Sequence, residues 1–241
     1  MEVIYTILIV MIVLIALYYI LSYIFQKSTQ LTSLKSGTLS QTISSSKLPN
    51  SNNSSNYAFS TWFYVDDWNY RYSETKVLLD REASGSSPND TGVGACPKIY
   101  LGPRENDIYI EVATFSQNDG TPQDTHVSQV RNFPLQKWVN LIISLYGRTL
   151  DIYIDGKLVQ SDILSGVAKP CTDADVKVTP NGGFQGYTSN FKYWSHAVNP
   201  QEAYNIYKDG FGGGSLGNIF NKYRVKVAFL EDNKEEASFE I

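Results

Sequence analysis

Histidine, cysteine and methionine each occur only twice in this chain, and charged residues make up just 18% of it. The two cysteines, Cys96 and Cys171, stand in no CxxC and no Cys/His cluster. A metal–thiolate centre needs several such ligands at short spacing, so that class is excluded, and no metal or other cofactor is expected. There is no block of Lys or Arg, and the formal net charge is −4. Nucleic acid is therefore not an expected partner, because nothing in the sequence would neutralise a run of phosphates. No EF-hand loop occurs, and His126 and His196 fall in loop-like or boundary sequence, neither of them in a nucleophile-elbow context. Nucleophilic catalysis by a Ser-His-Asp arrangement has no support.

What the chain does have is aromatic residues, 13% of the total and mostly tyrosine, which suit strands. The most informative stretch is Trp138 to Gln160, WVNLIISLYGRTLDIYIDGKLVQ. An apolar run, a turn at Tyr146-Gly147-Arg148, an alternating strand, Asp155-Gly156 and a third strand predict a three-strand meander. Tyr57 to Trp68, with aromatics on both faces, reads as the first strand of a domain. Further strands are expected at 76–79, 98–101, 108–115, 176–178 and 191–194. Loops are expected at 83–97 and 117–124, with a tight turn at Asn181-Gly182-Gly183. Asn199 followed by Pro200 and Glu202 is good helix-start chemistry. Past a Gly-rich hinge, residues 223–230 and 237–241 predict a hairpin, able either to complete a sheet edge or to add strands to a neighbour.

At the other end, Val3 to Phe25 is apolar and without a charge. As a helix it would be about 34 Å long, enough to cross a bilayer. Tyr5, Tyr18, Tyr19 and Tyr23 gather towards its ends, as interfacial anchors do. A cleaved signal peptide fits poorly, because Glu2 replaces a basic n-region and no small-x-small site follows. Lys27, Lys35 and Lys47 follow the run and favour a cytoplasmic position for the rest. Glycosylation sequons at Asn52, Asn53 and Asn89 point the other way. Residues 28–56 are so rich in Ser, Thr, Asn and Gln that they read as a spacer averaging roughly 30 Å end to end.

The aromatic first strand, the WVNL…DGKLV meander and the GGFQGY…NPQEA ending, spread over Tyr57 to Gly210, resemble the laminin-G-like, concanavalin-like β-sandwich family. The expected fold is all-β: a jelly-roll sandwich preceded by one transmembrane α-helix and followed by a short helix and a β-hairpin. Its expected parts are an anchor at 1–27, a linker at 28–56, the sandwich at 57–210, and a hinge with hairpin at 211–241.

Some members of this family hydrolyse β-glucans through E-x-D-x-E or E-x-D-x-x-E carboxylates on one strand. Here only Glu105 and Asp107 keep the spacing, and Glu111 is displaced. Residues four apart in a strand stand about 13 Å apart, against the 5 Å that retaining chemistry needs. Alternation with Ile108, Ile110 and Val112 puts these carboxylates in water, and no enzyme is expected. Some relatives bind calcium at a rim, for which Asp66, Asp67, Asp80, Asp90 and Asp155 are candidates by type only. Trp68, Tyr70 and Tyr72 are candidates to contact a protein partner or a sugar, with plain packing ranked ahead of either. Cys96 and Cys171 are either one disulfide or two buried thiols, and their flanking prolines favour the bond.

The anchor, the YVDDWN strand and the YRVKVAF hairpin also resemble anchored sandwich proteins of large icosahedral DNA viruses. That resemblance implies a minor capsid protein joining an internal virion membrane to the shell, with capsid or membrane proteins as partners and the domain facing the capsid. The competing expectation is a surface carbohydrate-binding adhesin.

Overall fold

The structure, a computed structural model, describes residues 11, 15, 30–48, 55–82, 94–115, 122–170, 174–212, 226–231 and 234–240. Apart from Met11 and Ile15, the expected anchor from Val3 to Phe25 lies outside the described residues, as do the sequons at Asn52, Asn53 and Asn89, Asp90, Cys171 and most of the Gly-rich hinge. Among the described residues, no helix is long and apolar enough to cross a membrane.

Two antiparallel sheets pack face to face. The first runs β1 (Gln30–Thr32), β13 (Gln185–Trp194), β4 (Tyr57–Asp67), β9 (Trp138–Tyr146), β10 (Thr149–Ile154), β11 (Lys157–Ile163), with β2 (Lys35–Ser36) also on β13. The second runs β3 (Gln41–Ile43), β12 (Val176–Val178), β5 (Lys76–Glu82), β6 (Ala95–Leu101), β7 (Ile108–Phe115), β8 (Pro122–Val130). Alternation along each strand builds the core: Phe59, Phe63, Leu141, Ile143 and Ile152 point inward from one sheet, and Leu79, Ile99, Ile110, Val112 and Val178 meet them from the other. The meander stands as expected, β9–β10–β11, with Asp155 at φ 50° and Gly156 at φ 73° making the second turn.

Helix α1 (Pro200–Lys208) starts where the sequence places it. Asn199 accepts from the Glu202 amide at 2.9 Å, and the Glu202 carboxylate accepts from the Asn199 amide at 3.2 Å, a complete capping box. The helix seats Ala203 and Ile206 on Ala58, Ile142 and Tyr153, a small second core on the outer face of the first sheet.

The structure corrects four readings. Residues 30–48 of the expected linker belong to the sandwich: β1 and β2 pair with β13, β3 pairs with β12, and Ile43 and Leu48 are core residues. These strands are short and polar, with Leu31 in β1 and Ile43 in β3 as their apolar residues, so composition hid them. His126 lies on a strand, β8, whose PQDTHVSQV sequence carries too few apolar residues to announce itself. Ala95, Cys96 and Pro97 belong to β6 instead of a loop. Asp107 is buried, not water-facing: its carboxylate accepts from the Asn132 amide at 2.8 Å and from Gln129 Nε2 at 2.7 Å, closing a turn.

The C-terminal strands β14 (Lys226–Glu231) and β15 (Lys234–Glu240) pair with each other and join neither sheet.

Candidate functional site

Inner positions of β4 are Phe59, Thr61, Phe63 and Val65, so Trp62 and Tyr64 must point out. Cross-strand register then does what no single strand could. Tyr64 stands opposite Tyr187 of β13 on one side and opposite Trp138 of β9 on the other. Three aromatic side chains lie side by side across three strands, with ring centroids 6.4 Å apart for Tyr64–Tyr187 and 5.7 Å for Tyr64–Trp138.

Phe211 extends the row. Its ring stacks on Trp138 at 4.6 Å with 6° between planes, and it meets Trp62 edge-on at 6.1 Å. Trp62 in turn stacks on Tyr207 of the helix at 5.5 Å. Phe211 is held there by backbone: Gly210 turns the chain at φ 74°, Asn190 Nδ2 donates to the Gly210 carbonyl at 2.8 Å, and Ser189 Oγ donates to the Phe211 carbonyl at 2.6 Å. Helix α1 covers the half of the outer face around Ala58 and Ile142, and the row occupies the other half. Tyr187 is 47% exposed and Phe211 43%, while Tyr64 and Trp138 are half-buried. Polar groups flank the row: Gln185, the exposed Asp66, Gln136, which donates to the Asp66 carbonyl at 3.4 Å, and the Lys137–Asp155 ion pair at 3.5 Å. An apolar strip of rings, tilted by 47° and 51° between neighbours, with hydrogen-bonding edges can take a ring or a planar group against one of its faces.

Trp68, Tyr70 and Tyr72 sit on the loop after β4 and do not act as a group. Trp68 packs edge-on against Phe133 at 5.8 Å and donates to the Arg104 carbonyl at 2.9 Å. The Lys76 ammonium lies 4.5 Å from its ring centroid. Burial, with Arg71 nearby, lowers the Lys76 pKa. Tyr70 donates to the Gly182 carbonyl at 3.2 Å. Tyr72 alone is turned to solvent, 54% exposed.

The carboxylates do not converge. Glu105 is an exposed loop residue, Asp107 is spent inside its turn, and Glu111 lies on the outer face of the second sheet, where it accepts from Tyr100 Oη at 2.8 Å. Tyr100 stacks on Tyr109 at 5.2 Å, and burial together with the Glu111 bond raises its pKa. On the same face Asp80 pairs in register with Lys98 and Lys177. Burial, and next the neighbouring Glu82, raises the Asp80 carboxyl above its ordinary value. Asp66 and Asp67 end β4, Asp80 sits in the other sheet, and Asp155 serves its turn by accepting from the Asn140 amide at 2.9 Å. Among the described residues, no three His, Cys, Asp or Glu side chains could hold a metal ion. Cys96 is disulfide-bonded.

Two antiparallel sheets packed face to face, with a helix over half of one outer face, define a sandwich of the lectin-like class. The chain belongs to the concanavalin A-like lectin/glucanase superfamily, whose laminin-G-type family model matches residues 36–203. Among solved structures it is similar to the receptor binding domain of botulinum neurotoxin D, at 14% identity over 76% of this chain and 47% of that one, with a TM-score of 0.53. It is also similar to the binding domain of botulinum neurotoxin DC in complex with rat synaptotagmin II, at 12% identity over 70% and 40% of the two chains, with a TM-score of 0.50. At these identities the likeness is one of fold, and the chain spans less than half the length of either structure. No curated protein matches the chain.

Proposed function

We propose that this chain is a membrane-anchored, non-catalytic recognition domain that takes a sugar ring on the Tyr187–Tyr64–Trp138–Phe211 row. The carrying observation is the row itself: four aromatics in one strip, on the half of the sheet that helix α1 leaves uncovered among the described residues, with polar groups along its edge. Rings held in place by strand register lose little side-chain entropy on binding, which is what a stacking site needs. The disulfide at Cys96 supports an oxidising compartment for the domain, the side on which Asn52, Asn53 and Asn89 could carry glycans, in preference to the cytoplasmic side that the lysine bias favours.

A glycan array probed with the full chain in nanodiscs identifies the ligand, and titration then measures its affinity. Tyr187→Ala, which removes the most exposed ring of the row, should weaken binding by about 2- to 13-fold, the worth of one stacking contact. Wild-type affinity in that variant, or no glycan retained at all, sinks the reading.

A second reading, the minor capsid protein linking an internal viral membrane to the shell, draws support from β14–β15. This hairpin pairs with neither sheet and so leaves edges for a neighbouring protein. Crosslinks from Lys35, Lys47, Lys222 or Lys234 to shell proteins in native particles are its expected signature, and self-links alone would remove it.

A further inference from the structure

We infer that the sandwich edge built by residues 31–47 is a membrane-contact surface that seats a phospholipid headgroup phosphate. This rests on the reading of Val3–Phe25 as an anchor. Only residues 26–29 separate the end of that apolar run from β1. Fully extended, that connection reaches roughly 18 Å from Phe25 to Gln30. The headgroup layer alone takes about 5–8 Å of it on each side of the bilayer. A domain on so short a lead lies against the interface instead of standing off it, and the part that meets the lipid first is the part that follows the lead.

That part is built for the contact. After β1 the chain runs along β13 as β2, crosses between the sheets, and joins β12 as β3, so 31–47 forms a ribbon along one open edge of the sandwich. The ribbon displays two large apolar side chains, Leu34 at 56% exposure and Leu39 at 60%. Neither is needed by the core, whose contribution from this ribbon comes from Ile43 and the partly buried Leu31. In a ribbon placed by its short lead at the interface, these two leucines are the side chains that can enter the acyl layer.

The same ribbon holds an open cavity of about 220 Å³ whose lining includes Leu31, Ser33, Lys35, Gln41, Thr42 and Lys47. Its lining mixes Leu31 and Ile43 with hydroxyl and amide side chains, and Lys35 and Lys47 stand at it, both exposed. Two ammonium groups with hydroxyl donors suit a phosphate diester, and their aliphatic stems can lie along the lipid while the charges reach the headgroups. A glycan would ask for a flat aromatic floor, which this cavity lacks.

The test uses the full chain in phosphatidylcholine nanodiscs containing a phospholipid with a photoreactive group near its glycerol, with adducts mapped by mass spectrometry. Adducts are expected on residues 31–47 as well as within 3–25. Leu34→Asp with Leu39→Asp should lower the yield on 31–47 by about tenfold and leave that on 3–25 unchanged. Both side chains are exposed, so the fold tolerates the change. Lys35→Glu with Lys47→Glu should lower it further in discs containing phosphatidylserine. Adducts confined to 1–29 would overturn the inference while keeping the anchor. Adducts absent from 3–25 as well would overturn the anchor reading and this inference with it.

Discussion

Replacing Ile43 by alanine tests whether the Ser/Thr-rich segment before Tyr57 is part of the domain. Ile43 is 4% exposed, pairs with Val176 and belongs to the main core. Truncation removes three buried carbons and leaves a cavity whose walls are strands tied into two ladders, which limits collapse. The cost for such a site is about 3 kcal/mol. For a domain of this size, about 2–4 °C of Tm is lost per kcal/mol, so the midpoint should fall by about 6–12 °C. The assay is thermal and urea unfolding of the full chain in detergent micelles, followed by tryptophan fluorescence, which reports on Trp62, Trp68, Trp138 and Trp194, all in the sandwich. The urea m-value should stay put while the midpoint moves, because the same surface is exposed on unfolding. Leu39→Ala is the control: at 60% exposure it should shift stability by less than about 0.5 kcal/mol. If Ile43→Ala behaves like Leu39→Ala, the segment 41–48 is not docked on the sandwich, and the correction made to the linker is itself wrong.

Other substitutions probe single contacts. In Gly156→Ala, a methyl placed at φ 73° would come within 2.8 Å of Tyr207 Cβ and 3.1 Å of Tyr204 Cα. Loss of about 2 kcal/mol is expected in urea unfolding, and a neutral variant would mean that the turn and the helix do not touch. Asn199→Ala removes half of the capping box and should cost about 1 kcal/mol, with Asn199→Asp retaining most of the stability. Asp80→Asn reports on a carboxyl whose folded pKa is raised, chiefly by burial. The folded state then holds the proton more tightly than the unfolded one. The penalty is therefore absent at pH 3 and grows as pH rises through the carboxyl range. Melting curves should show the variant as stable as the parent at pH 3 and at least as stable at pH 7; greater loss at pH 7 would mean that the Lys98 and Lys177 pairings outweigh burial.

The parts of the fold that could be read from the sequence were those where turn chemistry and apolar period agreed. The meander has Asp155-Gly156 between alternating strands, and the helix has Asn199-Pro200 with Glu202 three residues past its cap. β8 and the ribbon β1–β3 escaped because their strands are edge-like and polar. The ladder supplies their hydrogen bonds, and one or two buried side chains suffice to hold them. The aromatic row was illegible for a different reason. Tyr64, Trp138 and Tyr187 are far apart in sequence, and only the antiparallel register of β13, β4 and β9 makes them neighbours. The aromatics that were singled out from sequence, Trp68 and Tyr70, are instead engaged by the loop they stabilise.

The ribbon's pairing partners have a consequence for how the chain is made. β3 meets β12 at Thr42–Lys177, and β1 meets β13 at Gln30–Lys192, so the earliest of the described strands bond to strands made more than a hundred residues later. At about 5–20 residues per second, roughly 7–27 s separate the emergence of Thr42 from that of Lys177. Through that interval the N-terminal ribbon has neither ladder, while the β5–β6, β6–β7, β7–β8 and meander hairpins close locally behind it. Assembly is thus expected to finish at the edge nearest the anchor, with the ribbon docking last as the slow, long-range step.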